Sequence, residues 1–141
     1  VKELWLKEPS TTSSNRLSKE SIERGDHFLS MNGREVFRHA VKRFPETINE
    51  SLEFNGLTSK DIDLLVPHQA NLRISDMIQK KMGLPDNKVF NNIQKYGNTT
   101  AASIPICLSE AKKEGRINNN DLVVCAAFGA GFLWGSAVIK W

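Results

Sequence analysis

The chain has 141 residues, of which 40% are hydrophobic and 25% charged, a balance typical of one globular domain with a buried core. Its 19 basic and 16 acidic residues give a net charge of +3, too small an excess to predict nucleic-acid binding. No apolar run approaches the about 20 residues of a membrane span. With two cysteines outside any C-x-x-C motif and no signal peptide, we expect reduced thiols and a cytoplasmic protein.

The first part of the chain alternates between apolar and polar residues and then becomes mainly polar. Residues 3–7 alternate around Leu4 and Leu6, which predicts a strand, and the start at Val1 without Met suggests a fragment of a longer protein. Residues 8–30 lack periodicity and predict an irregular surface segment. Apolar residues then recur at helical spacing over 36–52, and we expect Pro45 to kink or split this helix.

The remaining pattern alternates between short apolar runs and helical spacing. The predicted elements are, in chain order, strand 63–66, helix 71–82, strand 89–90, helix 101–114 with Pro105 in its first turn, strand 121–128 and strand 132–141. The order βαβαβαββ predicts an α/β domain that spans residues 1–141. Its architecture should be a layered, mixed five-stranded sheet covered by helices.

Two segments 30 residues apart carry polar groups immediately before predicted helices. One contains His68 and the other Asn98, and two convergent hydrogen-bond donors suit a reaction in which negative charge develops on an oxygen atom. Each residue alone has a plainer interpretation. His68 could be structural, and Asn98, like Asn71, could simply cap a helix.

A glycine-rich turn at residues 129–131 leaves two interpretations open. It does not fit a dinucleotide-binding fingerprint, because a strand rather than a helix follows it. It could be a tight turn between two strands, which glycine permits. It could also aim a backbone N–H at a thioester oxygen.

The other candidates for chemistry are weaker. The three histidines have no paired spacing that would predict a metal site, and no serine lies in a G-x-S-x-G motif. Cys107 falls within a predicted helix and Cys125 within a predicted strand, both among apolar neighbours. A reactive thiol needs a helix N-terminus or a cationic neighbour, so we interpret both cysteines as packing residues.

Three longer motifs resemble those of one enzyme family. Residues 66–74 read VPHQANLRI, residues 96–105 read YGNTTAASIP, and residues 127–137 read AFGAGFLWGSA. They resemble the histidine motif, the asparagine motif and the C-terminal glycine turn of β-ketoacyl-acyl-carrier-protein synthase III. The resemblance extends from about Met31 to Trp141. It implies a thiolase-like fold of two similar halves, of which this chain resembles the C-terminal half.

The resemblance also implies a reaction. In this family a cysteine takes an acyl group from acyl-CoA, with acetyl-CoA the expected donor here. Malonyl-acyl-carrier protein then loses CO2, and the carbanion attacks the acyl-cysteine to give 3-oxoacyl-carrier protein, which initiates type II fatty acid synthesis. The cysteine lies on the N-terminal half, so this acyltransferase fragment should be inactive alone. No cofactor or metal is expected, because the CoA thioester and phosphopantetheine arrive as substrates.

The family roles carry over by position. The resemblance implies His68 and Asn98 as catalytic donors, the backbone of Ala130 as part of the oxyanion hole, Gly33, Phe37 and Asn71 as CoA and pantetheine contacts, and Arg73 and Lys81 as docking residues. The docking site for an acidic carrier protein should be basic, so Arg38, on one helix face with Arg34, and Lys80, on one face with Arg73, are further docking candidates. The implied partners are acyl-CoA, an acidic acyl carrier protein, the N-terminal half and a second copy in a homodimer. For Arg34 and Lys80, a solvated charged face explains the sequence equally well.

Two other functions remain open at this stage. The chain could belong to a related thiolase-fold synthase or acyltransferase of secondary metabolism. It could also be a non-catalytic half-domain that binds a carrier protein.

Overall fold

The computed structural model describes residues 2–7 and 17–141, which form five strands and five α-helices. The strands are β1 (Leu4–Leu6), β2 (Leu29–Met31), β3 (Leu64–Pro67), β4 (Leu122–Gly129) and β5 (Leu133–Lys140). The helices are α1 (Lys19–Glu23), α2 (Gly33–Phe54), α3 (Leu72–Met82), α4 (Ile93–Tyr96) and α5 (Ser103–Lys113). Short 3-10 turns lie at Ser59–Asp61, Asp86–Lys88 and Thr100–Ala102. Within these residues, none of the helices has the length and apolar character needed to span a bilayer.

The strands form two sheets rather than one. A three-stranded sheet has the order β3-β4-β5, in which β3 and β4 run parallel and β4 and β5 antiparallel, so the predicted mixed sheet is confirmed. Strands β1 and β2 form a separate antiparallel pair, and Val89 makes only an isolated bridge with Leu65. The prediction of a single five-stranded sheet was therefore wrong. Alternating apolar residues indicate a strand, but they do not indicate which strand will pair with it.

Helices cover both faces of the three-stranded sheet, which confirms the layered α/β architecture. Successive side chains of a strand point to opposite faces. One core cluster accordingly joins Leu65 and Val124 to the buried residues of α2, and the other joins Leu64 and Val123 to those of α5. Because β3 is buried along its whole length, the residue that follows Pro67 emerges from the centre of the domain.

Of the two outcomes predicted at Pro45, a kink or a split, the split is excluded, because helix α2 runs unbroken through this residue. Proline lacks the N–H that would bond the carbonyl four residues earlier, here that of Val41. In this fold the Lys81 ammonium, on the neighbouring helix α3, donates to that carbonyl at 3.2 Å. A side chain distant in sequence thus supplies the hydrogen bond that proline removes.

The predicted irregular segment is only partly described, because residues 8–16 lie outside the described part of the chain. Its remainder contains α1 and β2, which the sequence analysis missed. A reciprocal pair of hydrogen bonds between Ser18 and Ser21 caps α1, a recognised start signal for a helix. The helix is only five residues long, too short to produce a visible apolar period.

Candidate active site

His68 is placed by the sheet. It follows β3 directly, and its backbone N–H donates to the carbonyl of Ala126 in β4 at 2.8 Å, which extends the parallel ladder by one residue. The side chain is half-buried, and this burial lowers the pKa of His68 below its ordinary value because the charged form is disfavoured there. The imidazole is therefore predominantly neutral at neutral pH.

The two ring nitrogens of His68 have different surroundings. Nδ1 lies 2.6 Å from the hydroxyl oxygen of Ser103, at the start of α5. Nε2 makes no hydrogen bond to any residue in the described part of the chain, and the His68 side chain lines a large cavity. The ring is thus held by one nitrogen and presents the other to the cavity.

Asn98 lies on an exposed loop after α4, and it lines the same cavity. The preceding Gly97 has φ +68°, a backbone conformation that side chains disfavour, which lets the chain turn sharply before Asn98. The Asn98 side-chain oxygen accepts the N–H of Thr100 at 2.8 Å. The amide NH2 is left to donate elsewhere, so Asn98 can hold its own loop and act as a donor at once. The acceptor bond is made to the first residue of the 3-10 turn Thr100–Ala102, whose N-cap is Thr99, so Asn98 is the N-cap of neither this turn nor α5.

The cavity is open and has a volume of about 1170 Å³. Its walls are mainly apolar and come from α2, from the His68 and Asn98 segments and from the β4–β5 turn. The lining includes all the residues predicted for catalysis, the oxyanion hole and CoA or pantetheine contact, together with two arginines: Gly33, Phe37, His68, Asn71, Asn98 and Ala130, with Arg34 and Arg73. Residues that lie up to 97 positions apart in sequence, from Gly33 to Ala130, are therefore brought together.

The glycine turn joins two antiparallel strands, with Gly129 paired to Leu133 across it. The interpretation as a tight turn is confirmed, and no helix follows that could form a dinucleotide site. Ala130 lies at the turn and lines the cavity. The second interpretation, in which the turn presents a backbone N–H to substrate, is compatible with this position.

A buried amide that the sequence analysis did not single out connects the two donor segments. The Gln69 side chain is only 2% exposed, and its Nε2 donates to the carbonyl of Pro67 at 2.7 Å. Its Oε1 accepts the backbone N–H groups of Asn92 at 3.0 Å and Ile93 at 3.1 Å, where α4 begins. Gln69 thus connects the backbone beside His68 to the start of α4, the helix that leads to Asn98.

A second network fixes α4 from the other side. The Glu110 carboxylate, on α5, accepts hydrogen bonds from the Lys95 ammonium at 2.6 Å, the Tyr96 hydroxyl and the Asn92 side chain at 2.9 Å. These donors, Lys95 first, lower the pKa of Glu110 to about 2. No local sequence pattern signals this network, because Glu110 lies 14 to 18 residues from its three partners.

Neither cysteine has the character of a nucleophile, as the sequence predicted. Both are buried and free, and burial raises the pKa of each thiol to about 11. The Cys107 thiol also donates to the side-chain oxygen of Asn92 at 2.9 Å. Among the described residues, no group of three or more His, Cys, Asp or Glu side chains is arranged to hold a metal ion.

The four basic residues assigned to docking differ in how they are engaged. Arg73 lines the cavity, and its guanidinium lies over the Phe37 ring at 5.5 Å. Arg38 forms a salt bridge with Glu35, and the Lys81 ammonium donates to α2 as described above. Lys80, next to Lys81, is exposed. Arg73 is the member of this set that lies at the cavity itself.

The chain is similar to a group of ketoacyl synthases over most of its length. Residues 52–141 match the family model described as 3-oxoacyl-[acyl-carrier-protein] synthase III C terminal. The beta-ketoacyl-[acyl-carrier-protein] synthase III of Symbiobacterium thermophilum is 51% identical over 124 residues, which are 88% of this chain and 38% of that protein. The chain thus spans well under half the length of this curated relative.

Solved structures give the same result. The synthase III from Thermus thermophilus superposes with a TM-score of 0.80 and 50% identity, covering 82% of this chain and 36% of that one. The synthase III from Pseudomonas aeruginosa superposes with a TM-score of 0.84 and 32% identity, covering 99% of this chain and 41% of that one. The expected thiolase-like fold is confirmed by these neighbours. With its sequence, fold and cavity in agreement, the chain belongs to the 3-oxoacyl-[acyl-carrier-protein] synthase III C-terminal family.

Proposed function

We propose that this chain is the C-terminal half of a β-ketoacyl-acyl-carrier-protein synthase III. Together with an N-terminal half that supplies the cysteine, it condenses acyl-CoA, with acetyl-CoA the expected donor, with malonyl-acyl-carrier protein. The product is a 3-oxoacyl-carrier protein, the starting point of type II fatty acid synthesis. One observation carries this proposal: His68 and Asn98 line one cavity, and each has its second polar atom engaged by the protein.

The chemistry explains why two neutral donors are sufficient. When the malonyl thioester loses CO2, the electron pair of the broken carbon–carbon bond passes into an enolate, so no base is required to remove a carbon-bound proton. The developing charge lies on the thioester oxygen, and preorganised donors stabilise it strongly in a site that excludes water. The enolate carbon then attacks the acyl-cysteine carbonyl, and the cysteine thiolate leaves. The backbone N–H of Ala130 would stabilise the oxyanion of that second step.

The cavity fits a long, flexible thioester arm. In this proposal the CoA or phosphopantetheine arm passes between Gly33 and Phe37 on α2 and Asn71 at the start of α3. Arg73, at the cavity, and the exposed Lys80 offer positive charge to an acidic carrier protein. No metal or resident cofactor enters the mechanism. A cytoplasmic homodimer, as the family resemblance implies, completes the proposal.

The test uses the polypeptide that joins this chain to its N-terminal half. We expect acetyl-CoA to acylate one cysteine, malonyl-acyl-carrier protein to release CO2, and the two together to yield 3-oxobutyryl-carrier protein, each followed by mass spectrometry. Parallel reactions with longer and branched acyl-CoA define the starter. A protein that is acylated but never releases CO2 from the malonyl substrate would refute the proposed condensation.

The isolated chain provides the control. It contains Cys107 and Cys125, both buried, and neither should react with acetyl-CoA. Intact-mass spectrometry should therefore show an unmodified chain after incubation with acetyl-CoA. A stoichiometric acetyl adduct on either cysteine would show that the nucleophile had been misassigned.

A further inference from the structure

Ser103 is a buried hydroxyl in contact with both the side chain of His68 and the backbone next to it. Ser103 is 1% exposed, and it is neither of the two proposed donors, His68 and Asn98. Its oxygen lies 2.6 Å from His68 Nδ1 and 3.3 Å from the backbone nitrogen of Gln69. The resemblance implied no role for Ser103, although it lies within the asparagine motif.

The hydrogens at this junction can be assigned by counting donors. A backbone N–H can only donate, so Gln69 donates to the Ser103 oxygen. The serine hydroxyl must then place its own proton on another acceptor, because an unpaired buried polar group is costly. Within the described part of the chain, the one acceptor within reach of this hydroxyl is His68 Nδ1. The chain of donation therefore runs from Gln69 N–H to Ser103 Oγ, and from Ser103 O–H to His68 Nδ1.

This direction decides the tautomer of the histidine. A neutral imidazole carries one proton, and an Nδ1 that accepts a hydrogen bond leaves that proton on Nε2. We propose that Ser103 is a positioning residue that holds His68 in the Nε2–H tautomer and fixes its ring so that Nε2–H points at the substrate oxygen. This inference rests on the proposed function for its catalytic consequence, but not for the tautomer.

The opposite tautomer would be harmful rather than merely neutral. With the proton on Nδ1, the nitrogen facing the cavity would present a lone pair to the enolate oxygen, which would repel it. Ser103 also begins α5, which follows the Asn98 loop. The same hydroxyl therefore sets the position of His68 relative to the loop that carries the second donor.

The tautomer can be measured directly in the full-length protein by ¹⁵N NMR with labelled histidine, and the His68 signals can be assigned from the His68→Ala spectrum. In the unmodified protein we expect a pyridine-type Nδ1 and a pyrrole-type Nε2. In Ser103→Ala we expect this preference to be lost. A protonated Nδ1 in the unmodified protein would overturn the proposal without any variant.

Kinetics supply the second readout. Ser103→Ala should reduce CO2 release from malonyl-acyl-carrier protein by about 10-fold to 100-fold, less than the about 10²–10³-fold cost of losing a donor outright. Cysteine acylation should be unchanged, and Ser103→Thr, which keeps a hydroxyl, should restore part of the rate. Equal losses of acylation and decarboxylation with the tautomer unchanged would show a purely structural role and overturn the proposal.

Two controls separate this inference from other failures. Ser21→Ala removes another fully buried, hydrogen-bonded serine hydroxyl that does not line the cavity, and it should change neither the tautomer nor the decarboxylation rate. If Ser103→Ala does not fold, Ser103→Cys, with a weaker donor, takes its place. If the unmodified protein releases no CO2, the proposed function fails, while the NMR result still stands or falls on its own.

Discussion

His68 and Asn98 line the same cavity, but the fold holds them in different ways. His68 directly follows β3, its backbone N–H is bonded to Ala126 in β4, and its ring is fixed by Ser103. Asn98 lies on an exposed loop outside any strand, and its side chain is held through the N–H of Thr100. The element that leads into this loop is the four-residue helix α4.

The difference shows where the site depends on single side chains. A sheet ladder has many redundant hydrogen bonds, so the position of His68 should survive most substitutions around it. Helix α4 is too short to be stable alone. It is anchored by the buried amide of Gln69 on one side and by the Glu110 carboxylate on the other. We therefore expect the Asn98 side of the site to be easier to displace than the His68 side.

Removing the better-anchored donor should have the largest effect. In the full-length protein, His68→Ala should reduce CO2 release from malonyl-acyl-carrier protein by about 10²–10³-fold, because one preorganised donor to the enolate is lost. Acylation of the cysteine by acetyl-CoA should continue, since it does not pass through an enolate. Radiolabelled CO2 release and intact-mass spectrometry measure the two steps separately.

His27→Ala is the matched control for this prediction, because His27 does not line the cavity. It should leave both steps at the unmodified rate. Loss of acylation with decarboxylation intact in His68→Ala would reverse the assigned roles.

The second donor can be removed without disturbing its loop. Asn98→Asp keeps a side-chain oxygen for the N–H of Thr100 but replaces the NH2 with a carboxylate oxygen, which repels an enolate. We expect decarboxylation to fall by about 100-fold, within the range for a lost donor. Asn98→Ala also removes the acceptor for the Thr100 N–H, so a further loss of rate beyond Asn98→Asp would measure how much the loop contributes. Equal rates for unmodified protein and Asn98→Asp would exclude the amide as a donor.

The parts of the site that follow from local sequence were predictable, and the parts that depend on distant contacts were not. Asn71 caps α3 and Gly83 ends it, because these signals act within a few residues. Ser103 and Gln69 contact partners 34 and 24 residues away, and no local pattern announces such a contact. The prediction of a single five-stranded sheet failed for the same reason, and the continuity of α2 through Pro45 could not be predicted for that reason either. Strand pairing and the Lys81 hydrogen bond are properties of the folded chain.

Removing the Gln69 amide, the buried anchor of α4, tests whether the position of Asn98 depends on this helix. Gln69→Leu leaves the N–H groups of Asn92 and Ile93 without their acceptor, and each unpaired buried group costs about 1–3 kcal/mol. We expect the free energy of unfolding to fall by about 2–4 kcal/mol. Decarboxylation should fall by about tenfold through displacement of Asn98, less than the about 100-fold cost of a 1 Å error in position.

The control variant is Gln94→Leu, because Gln94 is an exposed glutamine on α4 itself. It should change the thermal midpoint and the rate little. If Gln69→Leu lowers stability but leaves decarboxylation untouched, the position of Asn98 does not depend on α4, and the contrast between the two donors disappears.

Removing the charge of Glu110, the second anchor of α4, should have the smallest effect. This effect should depend on pH. Glu110→Gln keeps one acceptor oxygen, which can still bond the Tyr96 hydroxyl, but it places an NH2 opposite the Asn92 amide and removes the charge that pairs with Lys95. The thermal midpoint at pH 7 should therefore fall slightly, with little change in rate. The pKa of Glu110 is lowered from 4.5 to about 2 in the folded chain, so the unfolded chain takes up the proton first as the pH falls. The stabilising contribution is therefore complete above about pH 4.5 and is lost progressively toward pH 2. The difference in midpoint between the unmodified protein and Glu110→Gln should narrow over that interval. A difference that stays constant or widens with acidification would mean that the hydrogen-bond geometry of Glu110, and not its charge, anchors α4.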